Sequence, residues 1–200
     1  MSSVTLVDMN CGNIASVEFA LDRLGVMHQR TQSAEGILSA ERLIVPGVGT
    51  ASFAMQQLHH LDLVEPLRAA RQPLMGICLG MQLLYEFSEE GDVECLGLLK
   101  GRVERMKGSI DLPVPHMGWS TLDIIRDDTP VLRDIENNSF AYFVHSFACP
   151  VTSETVASAD YGRLCGAIVS AGNVYGCQFH PERSSITGAQ ILRNFVSLPC

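Results

Sequence analysis

Two textures of hydrophobic and polar positions follow one another along the chain. In the first, short unbroken apolar runs alternate with stretches of helical spacing. "VTLVD" (4–8) reads as a buried strand, and "GNIASVEFALDRLG" (12–25) follows with Ile14, Val17, Leu21 and Leu24 on one helical face and Gly25 as a stop. "RLIVPG" (42–47) is a second strand, trailed by a helical region to about Arg71, and "LMGIC" (74–78) is a third, trailed by a helical segment from Leu79 to Ser88. Strands apolar on both faces, alternating with helices, predict a parallel sheet covered on both sides.

Beyond about residue 92 the texture changes. "GRVERMK", "AYFVHSFACP", "ETVASADYG", "CGAIVSAG" and "VYGCQFH" are short β-type runs separated by Gly, Pro, Asn and Ser, which predict partly antiparallel additions. "GAQILRNFVSL" (188–198) sets Ile191, Leu192, Phe195 and Val196 on one face and predicts a closing helix. No repeat, low-complexity tract or linker interrupts the pattern. Residues 1–200 therefore read as one domain, α/β with a mixed, mainly parallel central sheet flanked by helices and a β-rich second half.

Composition narrows the function classes. At 200 residues, 46% of them hydrophobic, the chain suffices for one globular domain that buries roughly 70% of its unfolded surface. "MSSVTLVDMNCGN" lacks a basic segment, its apolar run is broken by Asp8, and no apolar run reaches about 18 residues, so a soluble, cytoplasmic protein is expected. Cysteines 11, 78, 95, 149, 165, 177 and 200 are odd in number and contain no C-x-x-C pair, which points to reduced thiols rather than a disulfide framework or structural zinc. A formal charge of −8 without a Lys/Arg run argues against a nucleic-acid or anionic-membrane surface. Small molecules and protein partners remain.

Gly76-Ile77-Cys78-Leu79-Gly80 has the spacing of a G-x-S-x-G nucleophile elbow with sulfur in place of oxygen. A sharp strand-to-helix turn strains its central residue and favours flanking residues without a Cβ, and it sets Cys78 near a helix N-terminus that stabilises thiolate. A tight structural turn would carry the same glycines. A thiol nucleophile is usually activated by a base held by a third group. Of the six histidines, His59 and His60 are neighbours about 100° apart on a predicted helix and read as solvated, and His28 lies in a polar stretch. His180 precedes Pro181, which biases it toward extended backbone, where residues i and i+2 share a side; Glu182 is then placed to accept from Nδ1–H. A strand-end His beside a surface Glu has the same sequence. Pro46-Gly47-Val48-Gly49 ends a predicted strand, where ligands of parallel α/β sheets bind. Such a loop can turn an N–H toward a ligand as a second oxyanion donor beside that of Leu79, and it can equally be a plain turn.

"PGVG", "GICLGMQ" and "QFHPE", in this order over residues 46–182, together resemble the class I (triad) glutamine amidotransferases. The resemblance implies a flavodoxin-like core in which Cys78 attacks the side-chain amide of L-glutamine, His180 shuttles the proton to ammonia and Glu182 orients His180. It implies a γ-glutamyl thioester, an oxyanion hole from Val48, Gly49 and Leu79, and neither metal nor cofactor. "GNIASV", "LPVPHMGW" (112–119), "YFVHSF" (142–147) and "HPERS" (180–184) extend the likeness over essentially the whole chain to the glutaminase-subunit family of imidazole glycerol phosphate synthase. By that similarity Gln82 and Glu90 bind the glutamine head group, while Gly49, His145, Ser146 and Phe147 complete the pocket. Two departures, "DMNCGN" without the Tyr-Gly that often follows the first Asp, and Ser120 where Asn is common, lie outside the triad.

The sequence holds no phosphate loop or basic cluster for an ammonia acceptor, and ammonia loses its nucleophilicity by protonation in neutral water. The resemblance supplies the acceptor as a (β/α)8-barrel cyclase subunit in a heterodimer. Three other readings stay open on the sequence: an amidotransferase subunit of another pathway, a γ-glutamyl hydrolase or peptidase using the same elbow, and a non-catalytic regulatory subunit.

Overall fold

The computed structural model describes residues 3–199, so Cys200 lies outside the described residues. Its first half runs β1 (Ser3–Val7), α1 (Ile14–Arg23), β2 (Met27–Thr31), α2 (Ala34–Leu38), β3 (Leu43–Gly47), α3 (Ala51–His60), α4 (Val64–Ala69), β4 (Leu74–Cys78) and α5 (Leu79–Leu83). Short strands β5 (Phe87–Ser88), β6 (Val93–Glu94) and β7 (Arg102–Arg105) follow, then β8 (His116–Thr121), β9 (Asp123–Ile124), β10 (Phe140–His145) and β11 (Phe147–Ala148). The chain closes with β12 (Thr155–Asp160), β13 (Leu164–Ala171), β14 (Val174–Cys177) and α6 (Ser185–Val196).

The main sheet has the order β2-β1-β3-β4-β14-β13-β12-β9. Its first five strands are parallel and the rest antiparallel, which is the mixed, mainly parallel sheet the sequence predicts. Side chains alternate across it. Val4, Leu6, Ile44 and Met75 pack with Ile14, Val17 and Leu21 of α1 and with Ile191, Leu192 and Phe195 of α6. Val7, Leu43, Val45 and Leu74 pack instead with Ala54, Met55 and Leu58 of α3 and Leu67 of α4. Burial on both faces is why these strands are unbroken apolar runs. No helix among the described residues is long and apolar enough to cross a membrane.

Local chemistry sets the helix ends. Asn13 caps α1 by accepting the Ser16 N–H, and the chain leaves through Gly25 at φ 68°. Thr50 caps α3 in the same way through the Phe53 N–H. The expected helix to Arg71 is two helices, because Asp62 takes φ 55° and breaks the run. The expected helix from Leu79 to Ser88 is also shorter and stops at Leu83. Leu79 to Tyr85 are buried on every side, so the apolar run carries no period that marks its end; Phe87–Ser88 pair with β7 instead.

The order of strands assembles the site. Gly47 at the end of β3 lies opposite Cys78 at the end of β4, and Cys177 of β14 lies opposite Ile77. Three adjacent parallel strands thus deliver the 46–49 loop, Cys78 and the segment 178–182 to one sheet edge, at the carboxyl ends where such sheets bind ligands.

Candidate active site

Cys78 occupies φ 53°, ψ −109° between β4 and α5, backbone that residues with a Cβ rarely adopt. Its flanking glycines are obligatory for steric reasons. A Cβ on Gly80 would fall 1.8 Å from the Val45 carbonyl oxygen, and one on Gly76 would fall 2.6 Å from the Gly80 carbonyl. The elbow can form only where both positions are bare.

Behind Cys78, the His180 ring donates through Nδ1–H to Glu182 Oε1 at 2.9 Å. The route differs from the expected extended segment, since Pro181–Arg183 form a 3-10 turn. Pro181 supplies the fixed φ that starts such a turn, and the turn brings Glu182 back under the ring. Ser184, fully buried, locks it by donating its hydroxyl to the His180 carbonyl at 2.7 Å and accepting the Tyr142 N–H at 2.9 Å.

A cavity of about 180 Å³ opens in front of this pair. Cys78, Leu79 and His180 form its inner wall, and Val48 and Gly49 lie at the loop side. Gln82 and Glu90 line it, and so do His145, Ser146 and Phe147 between β10 and β11. Every residue that sequence reading assigned to the site is brought together here, with Glu182 one step behind through His180. His28, read as solvated, is instead partly buried on the edge strand β2, where it pairs with Asp22 of α1 at 3.0 Å, whereas His59 and His60 are exposed on α3 as expected. Gln178, His116 and Cys149 support this site without having been singled out; the signal for Gln178 was a polar residue directly after the buried strand β14.

A family model for the class I glutamine amidotransferases matches residues 7–198. The chain belongs to this family. The HisH subunit of imidazole glycerol phosphate synthase from Xanthomonas euvesicatoria pv. vesicatoria is 52% identical over 99% of the chain and 98% of the relative's length. The subunit of the same description from Xylella fastidiosa is 50% identical over the same shares. In fold, PurLQS from Thermotoga maritima superposes with a TM-score of 0.71 at 20% identity, covering 98% of each chain.

In this amidotransferase the pocket's charges are set by neighbours. Burial works against a charge on His180, but the Cys78 thiol and the Glu182 carboxylate outweigh it and push the pKa up to about 10. His145 is pushed down to about 4, chiefly by burial, and His116 likewise by burial to about 4. Burial raises the Glu90 pKa, opposed by the Ala51 N–H that its Oε2 accepts at 2.9 Å.

The neutral histidines form a chain with a fixed direction. Phe147 C=O can only accept, so His145 Nδ1–H donates to it at 2.8 Å and His145 Nε2 must accept from His116 Nδ1–H at 3.1 Å. His116 Nε2 then accepts the Ser120 hydroxyl at 2.9 Å. The His116 ring is clamped between Phe143 and Tyr161, with centroids 4.9 and 4.0 Å away.

Proposed function

We propose that this chain is the glutaminase subunit of an imidazole glycerol phosphate synthase, hydrolysing L-glutamine to glutamate and handing ammonia to a (β/α)8-barrel cyclase subunit in a heterodimer. The observation that carries the chemistry is the His180–Glu182 bond of 2.9 Å beside Cys78 at the head of the cavity. The pathway rests on identity of 50–52% to HisH subunits over 99% of the chain. The whole chain, 1–200, acts as one cytoplasmic amidotransferase domain.

With its pKa pushed up to about 10, His180 is an imidazolium at neutral pH, and the thiolate is the form of Cys78 that attacks. Cys78 Sγ attacks the substrate's carboxamide carbon, and the C–S bond forms as the carbonyl oxygen takes the charge. Leu79 and the Val48–Gly49 segment supply backbone N–H groups to that oxygen, and one such donor is worth about 2.7–4 kcal/mol of barrier. As the C–N bond breaks, His180 gives its proton to the departing nitrogen and ammonia leaves. Water then attacks the γ-glutamyl thioester, His180 takes its proton, the C–S bond breaks and glutamate departs from regenerated thiolate. Glu182 holds the imidazole in the one orientation that serves both steps.

Glu90 receives the substrate's α-ammonium with its free carboxylate oxygen. Gln82 spends both N–H groups inward, on Phe147 O and Gln178 Oε1, which leaves its own oxygen for a substrate donor. His145, Ser146 and Phe147 close the opposite side. Ammonia delivered to the cyclase completes imidazole glycerol phosphate and aminoimidazole carboxamide ribotide. The test is copurification with a barrel cyclase and assay of glutamine-dependent product formation, expected with wild type and lost with Cys78→Ala. Glutamate release without any cyclase-dependent product would overturn the pathway assignment.

A further inference from the structure

Gln178 follows β14 directly and is fully buried. A buried amide can present either its oxygen or its nitrogen to a neighbour, and here the surrounding chain decides which. Phe147 C=O is an acceptor only, so the end of Gln82 that faces it at 2.9 Å is the Nε2 donor. The same Nε2 lies 3.2 Å from the Gln178 side chain, which must therefore offer Oε1. Cys149, fully buried and held as a neutral thiol by that burial, donates to the same oxygen at 3.4 Å. With Oε1 fixed by two donors, Gln178 Nε2 faces the other way, 4.0 Å from Cys78 Sγ.

The other neighbour of that sulfur has the opposite preference. Val144 C=O lies 3.7 Å from Sγ and can only accept, so it favours the protonated thiol. A donor on the sulfur favours the thiolate. We infer that Gln178 is a thiolate-stabilising residue: Phe147, Gln82 and Gln178 form a one-way amide chain, anchored on a backbone carbonyl, that points an N–H at the Cys78 sulfur. The inference rests on the reading of Cys78 as the nucleophile. It adds to His180 a second donor that carries no charge and moves no proton, and it ties the nucleophile's ionisation to a pocket-lining glutamine.

The experiment is alkylation of the full-length chain with iodoacetamide across pH, following Cys78 by peptide mass spectrometry, in wild type and Gln178→Met. Methionine keeps the length of the side chain and removes the N–H. The expected result is a Cys78 midpoint higher by about one unit, so that about tenfold less thiolate is present at a fixed pH below it. A folded Gln178→Met with an unchanged midpoint overturns the proposal, even if glutamate release falls. A second measurement needs no altered Gln178: the side-chain amide ¹⁵N–¹H resonances of Gln178 should titrate with the Cys78 midpoint in wild type and stay flat in Cys78→Ala. Gln178 resonances that ignore the Cys78 midpoint refute it whether or not the methionine variant folds. If wild-type Cys78 is not alkylated ahead of the other cysteines, the nucleophile reading fails and takes this inference with it, an outcome distinct from a normal wild type with an indifferent Gln178.

Discussion

His180 and His145 line the same cavity and are nearly equal in exposure, 8% and 6%, yet one is driven toward permanent charge and the other away from it. Burial disfavours the charged ring in both. The difference lies in what each ring touches. His180 has the Glu182 carboxylate and the Cys78 thiol; His145 has a backbone carbonyl and a second neutral imidazole. An imidazole's surroundings in terms of charge, rather than its depth, decide whether it can act as an acid at neutral pH. The same cavity thereby holds one imidazole that is charged at neutral pH and one that is neutral.

Removing the sulfur is the strongest way to break this contrast. Cys78→Ala should abolish glutamate release and, by deleting one of the two partners that outweigh burial, lower the His180 pKa from about 10; ring NMR reads the second effect. An unmoved His180 titration would mean that Glu182 alone sets its charge. Glu182→Gln should cost about 10²-fold in glutamate release, at the lower end for a general acid–base group, and should lower the same titration while Cys78 remains alkylatable.

The neutral pair is probed through stability. His116 and His145 have folded pKa values of about 4 against an ordinary 6.5. Between those values the unfolded chain binds protons that the folded chain refuses, so their contribution is complete above 6.5 and is lost as pH falls toward 4. His116→Phe keeps the stack with Phe143 and Tyr161 and removes one titrating ring. Urea unfolding at pH 7 and pH 5 should show less loss between the two than in wild type, and an equal loss would place the acid sensitivity elsewhere. Ser120→Ala is the mildest change. It deletes the donor to His116 Nε2, so the unfolding free energy from urea titration should fall by about 1 kcal/mol with no change in the His180 titration.

What the sequence disclosed follows from how local each feature is. The elbow, the HPE turn and the PGVG loop are each encoded within five residues, and the parallel sheet that gathers them is written in unbroken apolar runs. Strand β2, "MHQRT", escaped because an edge strand with exposed faces needs no apolar alternation. The end of α5 was hidden because full burial erases helical period. His116 and His145 stand 29 residues apart and meet only because β8 and β10 pair them in register, a relation no local motif can carry. Glu182 was reached through a backbone that is right at His180, which is extended ahead of Pro181, and wrong beyond it, where Pro181–Arg183 turn as 3-10 rather than staying extended.

The backbone at Cys78 sets folding and chemistry at odds. At φ 53°, ψ −109° the chain would be more relaxed with glycine, which enters that region without the penalty a Cβ incurs. The proposed role of Cys78 as nucleophile is a reason for cysteine at the elbow that the backbone conformation does not supply. A lineage screened only for abundance or heat resistance should drift toward glycine at position 78, gaining a sturdier protein that has forgotten its reaction.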